Sequence, residues 1–352
     1  MDLSKNTTLQ KLYCAGNPLT TLDVSKNTAL VELRCINNQL TTLDVSKNTV
    51  LKLLDCNKNQ LTTLDVSNNT ALQTLYCNNN QLTTLDLSKN TKLQKLYCYD
   101  NPLTELDLSQ NTALTQLYCY DNQLTTLDVS NNTALQTLSC NNNQLTTLDV
   151  SKNTALQTLY CNNNQLTTLD VSGCVALQSL NCYDNQLTTL DVSGCTKLRT
   201  LYCYQNQLTT LDVSKNTKLI YLYCYQNQIK GEGMNALVEN LPFMQNGVLA
   251  VINNEGEQNM MTTAQVAAAK AKGWIPYYHN GSGWQEYAGS SVVLGDVNSD
   301  GSISVTDVGM MISYILQTNP TGFNKDAADM NGDGTISVTD VGALITKILT
   351  GE

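Results

Sequence analysis

Apolar and polar positions repeat with a period of 21 residues along the first two thirds of the chain. Each unit reads L-x-x-L-x-C-x-x-N-x-L, as in residues 30–40, where Leu33 and Cys35 alternate with other residues in the period of a strand. Cysteine marks the same place in eleven units: Cys14, Cys35, Cys56, Cys77, Cys98, Cys119, Cys140, Cys161, Cys182, Cys203 and Cys224. The pattern predicts a solenoid in which each unit adds one strand and shares a continuous core with its neighbours.

An asparagine follows each of these ladder cysteines at a distance of three residues, from Asn17 to Asn227. Its side chain is suited to pair with backbone groups where the chain turns away from the strand, and buried turns need such partners. We therefore interpret this column as a structural ladder and not as a binding site. The segments between strands are rich in Thr, Asp, Val and Ser, which favour extended chain and turns over helix.

The unit resembles the leucine-rich repeat, in a short 21-residue bacterial form with cysteine in a leucine position. The resemblance covers eleven copies, which we place at residues 1–229. It implies an α/β-type repeat solenoid, a horseshoe with a parallel concave sheet and a mostly non-helical convex side.

The repeat ends near residue 230, and helix and strand patterns alternate up to residue 290. Helices are predicted at 234–241 and 262–273, with Thr263 as the candidate N-cap of the second helix and Gly273 as its end. Strands are predicted at 247–254, 274–280 and 284–289. We interpret residues 230–290 as an α/β C-terminal cap of the solenoid.

Composition narrows the function classes. The 352 residues carry a formal net charge of −10, so nucleic acid is not an expected partner. No run of 18 apolar residues exists to span a membrane. Because the chain starts inside a truncated repeat and without a signal peptide, we expect it to be the mature form of a longer precursor.

Two of the thirteen cysteines lie outside the ladder column. Cys174 and Cys195 replace the asparagine of an S-K-N-T motif in adjacent repeats. The eleven ladder thiols are expected to be free and buried, as small apolar side chains. For Cys174 and Cys195 a disulfide and a simple replacement of asparagine both stay open, and we expect these two thiols to be the more reachable ones.

Residues 291–352 are a separate module built as a duplication. The sequence D-x-N-x-D-G-x-I-x-x-x-D occurs twice, with the first aspartates 33 residues apart. Calcium takes six to eight hard oxygen ligands, and a loop of this type supplies them from positions 1, 3, 5, 7 and 12. The expected ligands of two calcium ions are Asp296, Asn298, Asp300, Ser302, Asp307, Asp329, Asn331, Asp333, Thr335 and Asp340. Position 7 contributes its backbone carbonyl.

Each loop is followed by a helical pattern, and position 12 is aspartate instead of the usual EF-hand glutamate. This duplicated unit resembles the dockerin module, a small all-α, EF-hand-like domain. Dockerins bind cohesins and attach secreted proteins to extracellular assemblies, so the resemblance implies a calcium-dependent, cohesin-like partner and an extracellular or cell-surface location. The family's contact positions fall on Val305, Thr306, Val338 and Thr339. Valine departs from the hydroxyl pair of the best-known dockerins.

Tyrosine accumulates on the outward residues that flank the ladder cysteines, and we call this surface the tyrosine face. The densest clusters, our candidate partner-binding residues, are Tyr97, Tyr99, Tyr118 and Tyr120, and then Tyr202, Tyr204, Tyr221, Tyr223 and Tyr225. We expect the adjacent Asp100, Asp121, Gln205 and Gln226 to supply hydrogen bonds to a ligand. Tyrosine is a favoured contact residue and also suits exposed strands. A face that binds a protein or a glycan and a purely structural spacer therefore both stay open.

No catalytic constellation stands out. The sequence holds no nucleophile paired with a base, no histidine cluster and no phosphate-binding loop, and His279 is its only histidine. We therefore expect a non-catalytic binding protein.

Overall fold

The computed structural model describes residues 1–253, 257–290, 293–300, 302–331 and 335–350. The chain forms two compact units. The first comprises Met1–Asn206 and Lys215–Tyr221, and the second comprises Gln207–Ser214 and Leu222–Glu352. The division into solenoid, cap and calcium module at residues 229 and 290 stays a prediction.

Each repeat contributes a strand of three residues that ends directly before its ladder cysteine. The strands are β1 (Lys11–Tyr13), β2 (Glu32–Arg34), β3 (Leu53–Asp55), β4 (Thr74–Tyr76), β5 (Lys95–Tyr97), β6 (Gln116–Tyr118), β7 (Thr137–Ser139), β8 (Thr158–Tyr160), β9 (Ser179–Asn181), β10 (Thr200–Tyr202) and β11 (Tyr221–Tyr223). Strands β1 to β10 pair in parallel, with each residue opposite its equivalent one repeat away. The predicted parallel-sheet solenoid is confirmed.

The core of the first unit is built from leucine and cysteine. In the fifth repeat, for example, Leu96 and Cys98 are completely buried. Full burial of one leucine side chain is worth about 1.5–3 kcal/mol, and the same positions recur in every repeat. All thirteen cysteines are free and buried, which confirms the prediction for the ladder column. Between the strands of this unit the chain forms turns and bends without a helix.

The asparagine ladder joins each repeat to the preceding one through side-chain hydrogen bonds. The amide nitrogen of Asn101 donates to the carbonyl oxygens of Cys77, Cys98 and Tyr99 at 3.1–3.2 Å. Its amide oxygen accepts the backbone N–H of Leu82 at 3.0 Å. One buried side chain thus satisfies four backbone groups in two repeats, which confirms the structural interpretation of this column.

A second asparagine column, on the turn opposite the strands, is used only as a donor. The amide nitrogen of Asn111 donates to the carbonyls of Leu87 and Asn90 at 3.1 and 3.0 Å. The amide oxygens of this column are buried without a hydrogen-bond partner in Asn27, Asn48, Asn69, Asn90, Asn111, Asn132, Asn153 and Asn216. The position therefore uses the two N–H groups of the amide and leaves its oxygen without a partner.

Cys174 and Cys195 occupy this donor column, and our expectation that they are the reachable thiols is wrong. Both are completely buried. The Cys174 thiol donates to the Val150 carbonyl at 3.5 Å, and burial raises the pKa of Cys174 to about 11. The thiol keeps one of the two hydrogen bonds that asparagine donates at this position, and it leaves no amide oxygen buried without a partner.

A glycine precedes each of these cysteines, at a place where the backbone passes close to the preceding repeat. A Cβ on Gly173 would lie 2.2 Å from the Ser151 carbonyl oxygen, and one on Gly194 would lie 2.3 Å from that of Ser172. Glycine and cysteine therefore replace the common lysine and asparagine as a pair.

The second unit contains the mixed segment that follows the repeats. Its elements are α1 (Glu232–Asn240), β12 (Gly247–Asn253), α2 (Thr263–Ala271), β13 (Trp274–His279) and β14 (Trp284–Glu286). Strand β12 pairs in parallel with β13, whereas β14 pairs antiparallel with β13. The N-cap of α2 is Thr262 and not Thr263, because the Thr262 hydroxyl accepts the Gln265 N–H in a capping box. Gly273 follows the helix with a φ of 84°, as predicted.

This segment continues the asparagine ladder with a residue outside the repeat. The amide nitrogen of Asn259 donates to the carbonyls of Cys224 and Val251, and its oxygen accepts the Ile229 N–H at 2.8 Å. These are the partners that a ladder asparagine of a twelfth repeat would have. The Glu257 carboxylate accepts the Gln226 N–H. In earlier repeats the equivalent N–H donates to a carbonyl of the following repeat, as that of Asp184 does to Tyr204. Glu257 and Asn259 thus bond backbone groups of the last repeat, and the role of residues 230–290 as a cap stays a prediction.

The calcium-loop module consists of α3 (Val305–Ile315), α4 (Lys325–Ala328) and α5 (Val338–Thr350). Its core contains Val297, Met311, Phe323, Ala328, Val341 and Leu344. The apolar faces of the two long helices meet in this core, as expected from the pattern of the duplicated sequence. The small all-α module is confirmed.

Replacement of Asn101 by alanine is expected to destabilise the solenoid by about 2 kcal/mol or more, because it leaves the Leu82 N–H and several carbonyls buried without partners. Urea unfolding followed by circular dichroism measures this loss. The control is Asn68→Ala, at an exposed asparagine, which should change stability by less than about 0.5 kcal/mol. Equal stability of the two variants would contradict the ladder's energetic role.

Candidate binding face and calcium loops

Tyrosine rings of successive repeats stack on one another along the tyrosine face. Tyr97 and Tyr118 have ring centroids 4.5 Å apart and planes inclined by 17°. Tyr99 and Tyr120 lie 4.2 Å apart at 10°. The strand register brings these rings into contact, since equivalent residues of neighbouring parallel strands lie about 4.8 Å apart. The first candidate cluster is therefore a pair of adjoining aromatic stacks.

Stacking decides which part of each ring is available to a partner. A ring inside a stack has its faces against neighbouring rings, so it presents its edge and its hydroxyl to solvent. The Tyr97 hydroxyl donates to the Gln116 amide oxygen at 2.8 Å. Free aromatic faces are therefore expected only where a stack ends.

Tyrosines also shield the residue one repeat before them in the same column. Asp55, Asn78, Ser139 and Asn162 each precede a tyrosine by 21 residues, and each is at most 5% exposed. Asn141 is followed by asparagine instead and is only half-buried. Asn181, which precedes Tyr202, is an exception and is half-buried as well. We infer from this difference that the rings lean toward the preceding repeat.

The polar residues beside the tyrosines lie at a backbone turn, and their expected hydrogen bonds to a ligand stay a prediction. Asp100, Asp121, Gln205 and Gln226 all have φ values of 51–53°, in the left-handed region. Each repeat turns at this position, where asparagine, aspartate and glycine are favoured. The Asp100 and Asp121 carboxylates also accept amide N–H groups from asparagines of neighbouring repeats at 2.6 Å.

The second candidate cluster is divided between the two units. In the first unit, Tyr204 stacks on Tyr183 at 4.2 Å, Tyr202 is half-buried and Tyr221 is 43% exposed. In the second unit, the centre of the Trp284 ring lies 5.6 Å from that of Tyr223 and 5.3 Å from that of Tyr225. The His279 ring contacts Trp284 edge-on at 5.2 Å. Sequence reasoning missed Trp284, because it lies outside the 21-residue period.

The N-terminal end of the tyrosine face is charged. Lys11 and Glu32 form an ion pair at 2.7 Å, and the Arg34 guanidinium lies 5.5 Å from the centre of the Tyr13 ring. Asp55 is buried, and burial raises the pKa of its carboxyl above the ordinary value. The face therefore changes from charged to aromatic along the first unit.

The first calcium loop gathers oxygen atoms from the predicted ligands. The side-chain oxygens of Asp296 and Asn298 both accept the Asp300 N–H, at 3.0 and 2.9 Å. The Asp300 carboxylate accepts the Ser302 N–H at 2.8 Å. Asp307 is completely buried, and its carboxylate accepts the N–H groups of residues 297, 298 and 304. Position 12 therefore ties the loop to the first turn of α3.

The second loop repeats this arrangement at position 12. Asp340 is completely buried and accepts the N–H groups of Met330 and Asn331 at 2.9 and 3.3 Å. Of the other predicted ligands of this loop, Asp329, Asn331 and Thr335 belong to the described residues, whereas Asp333 lies outside them. Within the described part of the chain, no group of three or more His, Cys, Asp or Glu side chains is arranged to hold a metal ion. The all-oxygen donor set of the loops nevertheless fits calcium chemically.

The two long helices of the module carry matching exposed apolar residues. Val305 and Val338 are each 76% exposed, while the adjacent Thr306 and Thr339 are exposed as well. About two and three turns further along the same faces the exposed residues are Ile312, Leu316, Ile345 and Leu349. Each loop-and-helix unit thus presents an apolar stripe that includes a predicted contact position.

Comparison with solved structures identifies the family of the repeats. The functional domain of InlJ from Listeria monocytogenes, which includes a cysteine ladder, is 37% identical to this chain. The match covers 71% of this chain and 68% of that domain, with a TM-score of 0.53. The chain belongs to the leucine-rich-repeat family.

Further comparisons agree with this assignment. The leucine-rich-repeat protein YopM from Yersinia pestis is 28% identical over 64% of this chain and 63% of its own, with a TM-score of 0.55. The internalin InlF from Listeria monocytogenes shares the fold, at 23% identity, 78% and 87% coverage and a TM-score of 0.61. A family model described as leucine-rich repeats in two copies matches residues 133–173 and 175–216.

The leucine-rich-repeat protein also carries a dockerin-like module. The family model of the dockerin type I domain, a calcium-binding family, matches residues 294–349. The comparison with curated proteins finds no match. Among the described residues, no helix has both the length and the apolar character that crossing a bilayer requires.

Alkaline pH is expected to weaken the leucine-rich-repeat protein through its tyrosine stack. Burial and the adjacent tyrosines raise the pKa of Tyr97 to about 12 from an ordinary value of 10.0. Its contribution to stability is therefore complete below about pH 10 and is lost as the pH rises toward about 12. Urea unfolding at about pH 9 and pH 11 should show a smaller alkaline loss for Tyr97→Phe than for the parent. Equal losses in both proteins would contradict this assignment.

Proposed function

We propose that this leucine-rich-repeat protein is a non-catalytic, extracellular or cell-surface binding protein. Its tyrosine face contacts a protein or glycan partner, and its dockerin-like module tethers the chain through a calcium-dependent, cohesin-like interaction. Leucine-rich repeats and dockerins are both interaction modules, and this supports a protein-interaction role.

The tyrosine stacks support the proposed role of the tyrosine face in partner binding. Folding does not require tyrosine at the outward positions, since serine, asparagine and arginine occupy them in other repeats. The half-buried rings of Tyr97, Tyr99, Tyr118 and Tyr120 instead form a rigid aromatic surface. Tyrosine offers a large contact area at a low cost in conformational entropy. A preformed surface of this type suits recognition.

The exposed apolar stripes support the proposal for the module. Val305 and Val338 occupy the contact positions implied by the dockerin resemblance, and both are largely exposed. Burial of such side chains at an interface is favourable, so a partner with an apolar contact surface fits better than a charged one.

The calcium ligands are proposed from the loops themselves. The residues at positions 1, 3, 5, 7 and 12 of the two loops would hold one ion each, with the ligand set given for the sequence. Residues 291–352 carry eight acidic and two basic side chains, for a formal charge of −6. Bound calcium would offset the mutual repulsion of the carboxylates and so stabilise the module.

Removal of calcium by EDTA is expected to melt the dockerin-like module and leave the repeats folded. Calorimetry of the full chain should show two transitions in calcium, of which EDTA lowers only the one assigned to the module. Asp300→Ala, at loop position 5, should weaken this response, while Asp326→Ala, at an exposed aspartate outside the loops, should not. A single transition that EDTA leaves unchanged would refute calcium-dependent folding.

Replacement of Tyr97, Tyr99, Tyr118 and Tyr120 by serine is expected to abolish partner binding without unfolding the repeats. The partner is first captured with the full chain from cell-surface extracts, and affinities are then measured by calorimetry. A few aromatic residues usually dominate such an interface, so the cluster variant should lose about 2 kcal/mol or more.

Tyr13→Ser provides the matched control, because Tyr13 lies in the same column, is 58% exposed and stands outside the cluster. It should bind the partner about as well as the parent. A variant of Tyr202, Tyr204, Tyr221, Tyr223 and Tyr225 tests the second cluster in the same way. If both cluster variants keep the parent affinity while circular dichroism shows them folded, the chain is a structural spacer.

A further inference from the structure

The tyrosine face is interrupted in the middle of the first unit. After Tyr118 and Tyr120, the outward positions of the next two repeats hold three small polar residues, which we call the polar gap: Ser139, Asn141 and Asn162. Tyr160 and Tyr183 follow on the other side. With about 4.8 Å between strands, Tyr120 and Tyr183 lie about 14 Å apart across three repeats. The gap is therefore wide enough for one sugar-sized group between aromatic walls.

One wall of the polar gap offers an unoccupied aromatic face. The Tyr99 ring has one face on Tyr120, and the preceding residue in its column, Asn78, is 3% exposed. Tyr120 also has one face on Tyr99, but its other face is directed toward Asn141, which is only half-buried. Tyr120 therefore ends its stack with a ring face turned into the gap.

The floor of the gap offers uncharged hydrogen-bond donors. The Asn141 amide oxygen accepts the Ser139 hydroxyl at 2.7 Å. This bond occupies the oxygen and leaves the Asn141 amide N–H groups without a protein acceptor among the described residues. The nearby Asp121 carboxylate already accepts the Asn142 amide at 2.6 Å. The gap thus combines an aromatic face with neutral donors.

We propose that the polar gap binds a neutral pyranose ring of a glycan. The apolar C–H face of the sugar packs on Tyr120, and a hydroxyl at its rim accepts a hydrogen bond from Asn141. An aromatic peptide side chain could pack on the ring but would leave these donors unpaired, which is unfavourable in a closed contact. An acidic sugar would find no cationic side chain in the gap, and the net charge of −10 on the chain would repel it.

This inference rests on the proposed binding role of the tyrosine face and specifies the ligand class and the contact residues. Isothermal titration calorimetry of the full chain tests it with neutral tetrasaccharides of glucose, mannose, xylose and N-acetylglucosamine, and with tetragalacturonate as the anionic comparison. At least one neutral tetrasaccharide should bind, and tetragalacturonate should bind at least about tenfold more weakly. Tyr120→Ala and Asn141→Ala should each weaken the neutral ligand about tenfold or more.

Matched controls lie outside the gap and outside both candidate clusters. Tyr13→Ala removes an exposed tyrosine ring, and Asn57→Ala removes a half-buried asparagine from the column of Asn141. Each should weaken binding less than about threefold. Absence of binding by all neutral tetrasaccharides, or equal losses for Tyr13→Ala and Tyr120→Ala, would overturn the inference. If the captured partner is a protein whose binding depends on the tyrosine cluster, the proposed function stands while the sugar site falls.

Discussion

The hydrogen bonds of one buried asparagine side chain per repeat constrain everything else in the solenoid. A three-residue strand pairs too few backbone groups to hold the turn that follows it. The asparagine supplies the missing partners and reaches back to the ladder cysteine of the previous repeat, as Asn101 does toward Cys77. Because a buried unpaired backbone group costs about 1–3 kcal/mol, this contact fixes the distance and the register between neighbouring repeats.

The aromatic surface is a consequence of that fixed register. The backbone brings rings one repeat apart to stacking distance, so Tyr99 and Tyr120 stack without the help of other side chains. Replacing one tyrosine by a small residue opens a face in the next ring. Recognition on this scaffold is therefore governed as much by the places where tyrosine is absent as by those where it is present.

The periodic part of the structure could be predicted from the sequence, because each repeat meets the same environment and leucine, cysteine and asparagine each recur at one depth. The burial of the second asparagine column could not be predicted in this way. The sequence places Cys174 in a turn, which suggests exposure, and only the structure shows that its thiol is buried against the Val150 carbonyl. Asn259 carries no signal, since its place in the ladder follows from tertiary contact and not from spacing. The capping threonine of α2 was missed by one residue, as Thr262 and Thr263 are equally suitable locally. Of the candidate site, the tyrosine columns were predictable, whereas the direction in which the rings lean and the role of Trp284 depend on neighbours.

The contacts of Asn259 have a consequence for how such a gene can change. Toward the last repeat Asn259 bonds only backbone groups, and every repeat offers the same backbone groups. Recombination between near-identical copies in frame would add or delete whole units of 21 residues and still leave a last repeat that the cap accepts. The aromatic stacks and gaps would then be rearranged along the rod in single steps, so new surfaces could arise from copy number alone, without any new residue.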